Sequence, residues 1–261
     1  MTILRVRDVS VSFGGVRALS GVSVDVNRAE IVGVIGPNGA GKTTLLNVVC
    51  GMSRPDRGEV SLDGTVITGK KPSDIAALGL GRTFQASQLF PGMSVLENMM
   101  TGLHRRSRAG LFAAALRTGT MRAEERTLGA RARDALEFVG MSAFASRPGG
   151  ALSFGQQRIV EIARTLISEP KVVLLDEPAV GLSLNRVAEL DLLLRKIRDE
   201  RGVTLVMIEH VIRLVMGVSD RVVVMNSGEK IAEGMPDEIR RHPAVVEAYL
   251  GRHVDARRPA S

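Results

Sequence analysis

The feature that most constrains this chain is a glycine-rich loop at residues 36–44, which reads Gly-Pro-Asn-Gly-Ala-Gly-Lys-Thr-Thr. An apolar run precedes the loop and a helix-like run follows it. The three glycines allow backbone conformations that aim successive N–H groups inward, at the positive end of a helix dipole. Lys42 adds a point charge for phosphate oxygens, and the Thr43 hydroxyl is placed to ligate Mg²⁺. The loop therefore predicts a phosphate site between a strand and a helix; the alternative is an ordinary glycine-rich turn.

A pair of acids supplies the second chemical feature. Val172 to Leu175 is a run of four apolar residues typical of a buried strand, and Asp176 and Glu177 follow it directly. In an open α/β sheet, ligands bind at the carboxyl ends of the strands. Asp176 can hold Mg²⁺ there, and Glu177 can orient and deprotonate an attacking water. Together with the phosphate loop, the pair predicts hydrolysis of a nucleoside triphosphate.

Composition limits where such a protein works. A 44% apolar content over 261 residues is enough for a substantial core, and the single cysteine, Cys50, excludes an internal disulfide framework and a cysteine zinc site. The N-terminus carries charges where a secretory signal needs an apolar run, and no apolar run approaches the ~20 residues of a membrane span. We expect a cytoplasmic protein whose membrane role, if it has one, is peripheral.

The net charge of +7 leaves three kinds of partner open: nucleic acid, an anionic membrane surface, or none in particular. Aromatic residues make up only 3% of the chain and tryptophan is absent, so stacking platforms for single strands are scarce. No helix shows a concentrated basic reading face. We therefore expect no nucleic-acid partner.

The order of hydrophobic patterns predicts an α/β fold with three parts. Short alternating runs before the loop, and a hairpin around Asp63-Gly64, favour an N-terminal antiparallel β subdomain. Residues 87–164 have helical periodicity, with a serine cap at Ser94, and predict an inserted helical subdomain. Strand and helix patterns then alternate, which predicts a mainly parallel core sheet. We assign residues 1–251 to a single domain and 252–261 to a disordered tail.

A third stretch brings in a resemblance. Leu152-Ser153-Phe154-Gly155-Gln156-Gln157-Arg158, ahead of a helical run, resembles the signature of the ATP-binding cassette (ABC) ATPases, which is usually Leu-Ser-Gly-Gly-Gln; Phe154 replaces its first glycine. From the residues alone the stretch is a serine-capped helix. The resemblance implies a P-loop nucleotide hydrolase in which this helix N-terminus contacts the γ-phosphate bound by a second cassette.

The resemblance, which covers about residues 3–251, implies further roles. Phe13 matches a base-stacking aromatic, Gln85 a glutamine that senses metal and water, and His210 a switch histidine that contacts the γ-phosphate. Ser183 and Val211 depart from the acidic or amide residues usual at their positions. The site residues predicted in this way fall into four groups: catalytic Glu177, His210 and Gln85; nucleotide-binding Phe13, Gly36, Pro37, Asn38, Gly39, Ala40, Gly41, Lys42, Thr43 and Thr44; signature Ser153, Phe154, Gly155 and Gln156; and metal-binding Thr43, Gln85 and Asp176.

Within this family the chain is most similar to ATPases of branched-chain or hydrophobic amino acid importers. The similarity lies in four stretches, residues 81–98, the arginine-rich insert, 155–164 and 208–221, and in the ending Ala-Tyr-Leu-Gly at 248–251. It implies ATP and Mg²⁺ as cofactors, membrane permeases and a sister or identical ATPase as partners, a periplasmic binding protein, and a site at the cytoplasmic face of the inner membrane. Other small-solute importers, a lipopolysaccharide exporter, a DNA- or ribosome-associated ATPase and a regulatory module without turnover are the alternatives.

Overall fold

The computed structural model describes residues 1–84, 89–102 and 119–255. The strands in this part of the chain are β1 (Thr2–Phe13), β2 (Val16–Asn27), β3 (Ile31–Ile35), β4 (Arg57–Leu62), β5 (Thr65–Val66), β6 (Leu80–Arg82), β7 (Val172–Asp176), β8 (Thr204–Ile208), β9 (Arg221–Asn226) and β10 (Glu229–Gly234). The helices are α1 (Lys42–Val49), α2 (Pro72–Ala77), α3 (Val95–Thr101), α4 (Gly119–Phe138), α5 (Phe154–Leu166), α6 (Leu184–Arg201), α7 (Ile212–Val218), α8 (Pro236–Arg241) and α9 (Pro243–Asp255).

The core is a six-stranded sheet with the order β10-β9-β3-β8-β7-β6. Its strands run parallel except β10, which pairs antiparallel with β9. The prediction of a mainly parallel core sheet is confirmed, although β10 was not anticipated. Ile208 at the end of β8 lies opposite both Val34 of β3 and Asp176 of β7. This register brings the phosphate loop, the acid pair and His210 to one edge of the sheet.

A second sheet, with the order β2-β1-β4-β5, is antiparallel, as the sequence predicts. The apolar runs Leu4–Val6 and Val9–Phe13 have the pattern of two short strands, but β1 is continuous through both. The break in the pattern is a register shift between Val6 and Val9, with Asp8 at a φ of 47°. The Ser23 hydroxyl accepts the Asp8 backbone N–H at 2.9 Å, so an irregular strand, not a turn, interrupts the alternation.

Helices α3, α4 and α5 lie between β6 and β7 in the chain and share an apolar cluster of their own. Four residues at helical spacing pack into this cluster: Leu128, Ala132, Leu136 and Val139. Ser94 caps α3 and forms a reciprocal pair of hydrogen bonds with Glu97, as the sequence indicates. The helical subdomain is therefore an insertion with its own small core.

The chain ends in two helices that the sequence patterns did not predict, α8 and α9. Helix α9 continues past the predicted start of the tail, and residues 256–261 lie outside the described part of the chain. Tyr249 of α9 packs against the apolar cluster beneath β9 and β10. No helix in the described ranges is long and apolar enough to cross a membrane.

Candidate nucleotide-binding and hydrolytic site

The phosphate loop follows β3 and approaches neighbouring backbone too closely for any side chain at two of its glycines. A Cβ atom at Gly36 would lie 2.1 Å from the Met225 carbonyl oxygen, and one at Gly41 would lie 2.5 Å from that of Ala18. Gly41 also has a φ of 95°, in the region that glycine favours. Glycine is therefore required at both positions for the loop to close over the sheet edge.

Lys42 begins helix α1 and is buried, with 6% of its surface exposed. Its ammonium group donates to the carbonyl oxygens of Gly36 at 2.8 Å and Pro37 at 3.0 Å, so the side chain curls back over the loop. No side-chain oxygen caps α1, because the residue before it is Gly41. The N-terminal N–H groups of α1 and the Lys42 charge thus face the same space, which suits an anion.

This space is a cleft of about 360 Å³. Glu177 of the acid pair and His210 line this cleft together with the phosphate loop. The lining residues are Ala18, Asn38, Gly39, Ala40, Gly41, Lys42, Thr43, Thr44, Glu177 and His210. The cleft thereby brings together residues that are far apart in the sequence.

Glu177 has a backbone conformation unusual for a residue with a side chain, with a φ of 49°. Its N–H donates to the Ile208 carbonyl oxygen at 2.9 Å, which holds it against the end of β8. The carboxylate Oε1 then lies 3.0 Å from His210 Nε2. A carboxylate in this position can accept a proton from a water molecule in the cleft, with the imidazole beside it.

Asp176 is the last residue of β7 and is buried, and its carboxylate forms an ion pair with Arg82 of β6. Arg82 also donates to the Asn47 side-chain oxygen at 2.7 Å, and its guanidinium lies over the Phe84 ring. Sequence reasoning gave Arg82 no role. The strand order places β6 beside β7, and no local pattern in the sequence signals that pairing.

The signature residues stand at the start of α5. The Ser153 hydroxyl accepts the Gln156 N–H at 3.4 Å, and the Gln156 side chain accepts the Ser153 N–H at 2.9 Å. Phe154 is 44% exposed, and its ring lies against Gly181 in the loop after Glu177. The lining of this chain's own cleft includes neither these three residues nor Gly155. Their helix N-terminus therefore lies outside the cleft that the phosphate loop of the same chain lines.

The remaining predicted residues take different positions. Phe13 ends β1 and is 55% exposed, on the hairpin whose second strand supplies Ala18 to the cleft. Gln85 lies outside the described residues. Arg158 of the signature helix donates to the Phe84 carbonyl oxygen at 2.7 Å, so α5 is tied to the segment that ends just before Gln85.

Tyr249 is a site neighbour whose position the sequence did not predict. Burial raises the pKa of its hydroxyl, and a hydrogen bond with the Gly36 backbone lowers that pKa in part. Helix α9 thus reaches the first residue of the phosphate loop. The ending Ala-Tyr-Leu-Gly at 248–251 contributes to the family resemblance, but nothing local in the sequence indicates where a C-terminal helix docks.

A phosphate loop and an acid pair at the ends of two parallel strands that flank β8, with a helical insertion and an antiparallel sheet, define a nucleotide-binding ATPase of the cassette class. Residues 19–180 match the family described as ABC transporter, and residues 229–255 match the branched-chain amino acid ATP-binding cassette transporter family. The chain belongs to the ABC transporter family, as an ATP-hydrolysing subunit.

Three relatives are similar over nearly their whole length. The high-affinity branched-chain amino acid transport ATP-binding protein BraF of Pseudomonas aeruginosa is 42% identical, with 95% of this chain and 98% of the relative covered. LivG of Escherichia coli, which has the same description, is 40% identical over the same shares. The probable branched-chain amino acid transport ATP-binding protein LivG of Methanocaldococcus jannaschii is 36% identical, covering 96% of this chain and 98% of its own.

Two solved structures show the same fold. The ADP conformation of MJ1267, an ATP-binding cassette of an ABC transporter, superposes with a TM-score of 0.84 at 34% identity, covering 96% of this chain and 99% of its own. The dimeric post-hydrolysis state of the cassette MJ0796, bound to ADP and phosphate, gives a TM-score of 0.75 at 26% identity, covering 90% and 99%. The predicted cassette fold, with its three parts, is thereby confirmed.

Proposed function

We propose that this chain hydrolyses ATP to power the uptake of branched-chain or other hydrophobic amino acids. The observation that carries the proposal is the pair of matches at opposite ends of the chain. The cassette family covers residues 19–180, and a family specific to branched-chain amino acid transporters covers residues 229–255. The relatives that span the full chain are described as branched-chain amino acid transport ATP-binding proteins.

In this proposal each step of hydrolysis has a side chain or backbone group to perform it. Lys42 and the N–H groups of residues 39–44 bind the β- and γ-phosphates, and Phe13 stacks on the base. Glu177 orients a water for in-line attack on the γ-phosphorus and takes its proton. His210, 3.0 Å from that carboxylate, contacts the γ-phosphate and keeps Glu177 in place. Gln85 would complete this set.

The residues present fit a magnesium ion that binds together with the nucleotide. Among the described residues no group of three or more His, Cys, Asp or Glu side chains could hold a metal alone. Mg²⁺ in nucleotide sites instead takes one or two protein oxygens and completes its shell with phosphates and water. The Thr43 hydroxyl, the Asp176 carboxylate and Gln85 would provide those oxygens. The ion would neutralise charge that develops on the transferred phosphoryl group.

The exposed signature helix supports pairing of two cassettes. Ser153, Phe154, Gly155 and Gln156 would bind the γ-phosphate held by the opposite phosphate loop, so each working site needs two chains. The cassette MJ0796, similar to this chain, is described as a dimer. The second chain is either another copy or a sister ATPase.

Transport requires further partners. Membrane permease subunits would contact the paired cassettes at the surface after residue 85, and movement of the cassettes would be transmitted there. The assembly would sit at the cytoplasmic face of the inner membrane. A periplasmic binding protein would deliver the amino acid to the permeases. Specificity for the solute would then lie in the permeases and the binding protein.

Reconstitution tests the proposal. The chain would be placed with its permeases, its sister ATPase and its binding protein in lipid vesicles, and ATP turnover measured with leucine, isoleucine or valine. We expect these amino acids to stimulate turnover, and the Glu177→Gln complex to show no stimulation. If only an unrelated solute stimulated turnover, amino acids would not be the transported substrate. Turnover stimulated by DNA or ribosomes in a salt-sensitive manner would replace the transport function.

A further inference from the structure

Glu209 is a buried carboxylate that the hydrolytic scheme does not use. It lies between the end of β8 and His210 and has no exposed surface. Its Oε1 accepts the Ala179 backbone N–H at 2.5 Å. Its Oε2 accepts the N–H groups of His210 at 2.9 Å and Val211 at 3.1 Å. Both oxygens are therefore occupied, each by a different segment of chain.

The charge on Glu209 is balanced in an unusual way. Within the described residues no Lys, Arg or His side chain forms an ion pair with this carboxylate. A buried charge is costly unless it is paired or well hydrogen-bonded, and bonds to an ionised acceptor are about twice as strong as neutral ones. Three backbone N–H groups thus provide the stabilisation that a cation would otherwise give. The same hydrogen bonds fix both segments to the Glu209 carboxylate.

The two segments carry the two halves of the catalytic chemistry. Ala179 lies two residues after Glu177, in the loop that continues to Gly181, beside which the ring of the signature residue Phe154 lies. His210 is the residue that contacts the Glu177 carboxylate. Glu209 therefore links the loop after Glu177 to the segment that begins at His210 through hydrogen bonds.

We propose that Glu209 is a positioning residue for hydrolysis. It fixes residues 178–183 and residues 210–211 relative to each other, so that His210 and the loop beside the signature helix move as a unit. This inference rests on the proposed function of Glu177 and His210. Glu209 itself touches neither phosphate nor water in the scheme. Its effect should appear in turnover and not in nucleotide affinity.

Two substitutions separate positioning from general stability. Glu209→Gln preserves shape but presents one acceptor oxygen, so one of the two segments loses its partner. Glu209→Asp keeps the carboxylate, but the side chain is shorter by one methylene group, so the carboxylate lies farther from the three N–H groups. Glu30→Gln is the matched control: Glu30 accepts the Asn27 N–H at 2.6 Å and pairs with Arg221 at 2.8 Å, at the opposite end of β3 from the phosphate loop.

Each variant would be assembled in the reconstituted complex and assayed for kcat, KM for ATP and equilibrium ATP binding, well below its melting temperature. We expect Glu209→Gln to lower kcat by about tenfold to a hundredfold, with ATP affinity within about twofold of wild type. Glu209→Asp should give a smaller loss of the same kind. Glu30→Gln should lower the melting temperature and leave kcat unchanged.

Amide hydrogen exchange on the same variants measures directly whether these backbone N–H groups remain hydrogen-bonded. In Glu209→Gln, protection should fall at residues 179, 210 and 211 and stay constant in α1. An unchanged kcat in folded Glu209→Gln and Glu209→Asp, or a kcat loss matched by Glu30→Gln, would overturn the inference. If wild-type complex hydrolyses ATP without any response to amino acids, the proposed transport function fails, and this test of Glu209 still stands.

Discussion

The guanidinium of Arg82 lies 2.9 Å from the carboxylate of Asp176, and each of the two side chains is 9% exposed. The pair joins the edge strand β6 to the strand that carries the proposed metal ligand. A buried ion pair adds little net stability, because desolvation offsets the attraction, but removal of one partner leaves the other charge buried alone. Loss of Arg82 would therefore leave the buried carboxylate of Asp176 without its ion-pair partner.

Arg82→Gln tests this relationship. We expect the free energy of unfolding of the isolated chain to fall by about 3–5 kcal/mol, because Asp176 loses its partner. Arg5→Gln is the control, since Arg5 forms an exposed pair with Asp25 at 3.3 Å and should cost about 0–1 kcal/mol. Urea unfolding followed by circular dichroism measures both. Equal losses in the two variants would show that burial of the Arg82 pair has no special consequence.

Glu177→Gln tests the general base. The amide retains the size of the side chain and its place beside His210, but it cannot take a proton from water. We expect ATP turnover to fall by about 10²–10⁴-fold while ATP binding is retained. Turnover in the assembled complex and equilibrium binding of a fluorescent ATP analogue measure the two effects. Glu189→Gln, on the exposed face of α6, is the control and should change neither. An active Glu177→Gln complex would remove Glu177 from this role.

Ser153→Ala tests whether the signature serine works across the dimer. Both Ser153 and Ser94 cap helices through reciprocal hydrogen bonds, so Ser94→Ala is a matched control for the loss of a cap. We expect a stability loss of about 0.5–2 kcal/mol for Ser153→Ala and a similar one for the control. Turnover should fall only in Ser153→Ala, and ATP binding by the isolated chain should change in neither. Weaker ATP binding by isolated Ser153→Ala would place this serine in its own chain's site.

The capping pair of α3 predicts a pH dependence of stability. Hydrogen bonds from Ser94, first from its hydroxyl and then from its backbone, lower the pKa of Glu97. A carboxyl whose pKa is lower in the folded state stabilises the fold above its ordinary pKa of about 4.3, and this contribution is lost as the pH falls through the folded value. Urea midpoints of wild type and Glu97→Gln should therefore differ most at neutral pH and converge at about pH 3. A difference independent of pH would contradict this assignment.

Some parts of the site could be read directly because their chemistry is local. Three closely spaced glycines at positions 36, 39 and 41, followed by Lys42, predict a phosphate loop. An acid pair at the end of an apolar run likewise predicts its own position at the sheet edge. The helical insertion could also be read, since Leu128, Ala132 and Leu136 repeat at a helical spacing. In each case the residues that define the feature are neighbours in the chain.

Other features depend on contacts between distant segments. Arg82, Glu209 and Tyr249 have ordinary sequence surroundings, and their roles follow from the strand order and from where α9 docks. The amino-acid sequence by itself determined the nucleotide chemistry of this protein and its family. Only the tertiary structure decided which buried charges hold that chemistry in place, because a hydrogen bond between residues 30 or more positions apart leaves no periodic pattern in the chain.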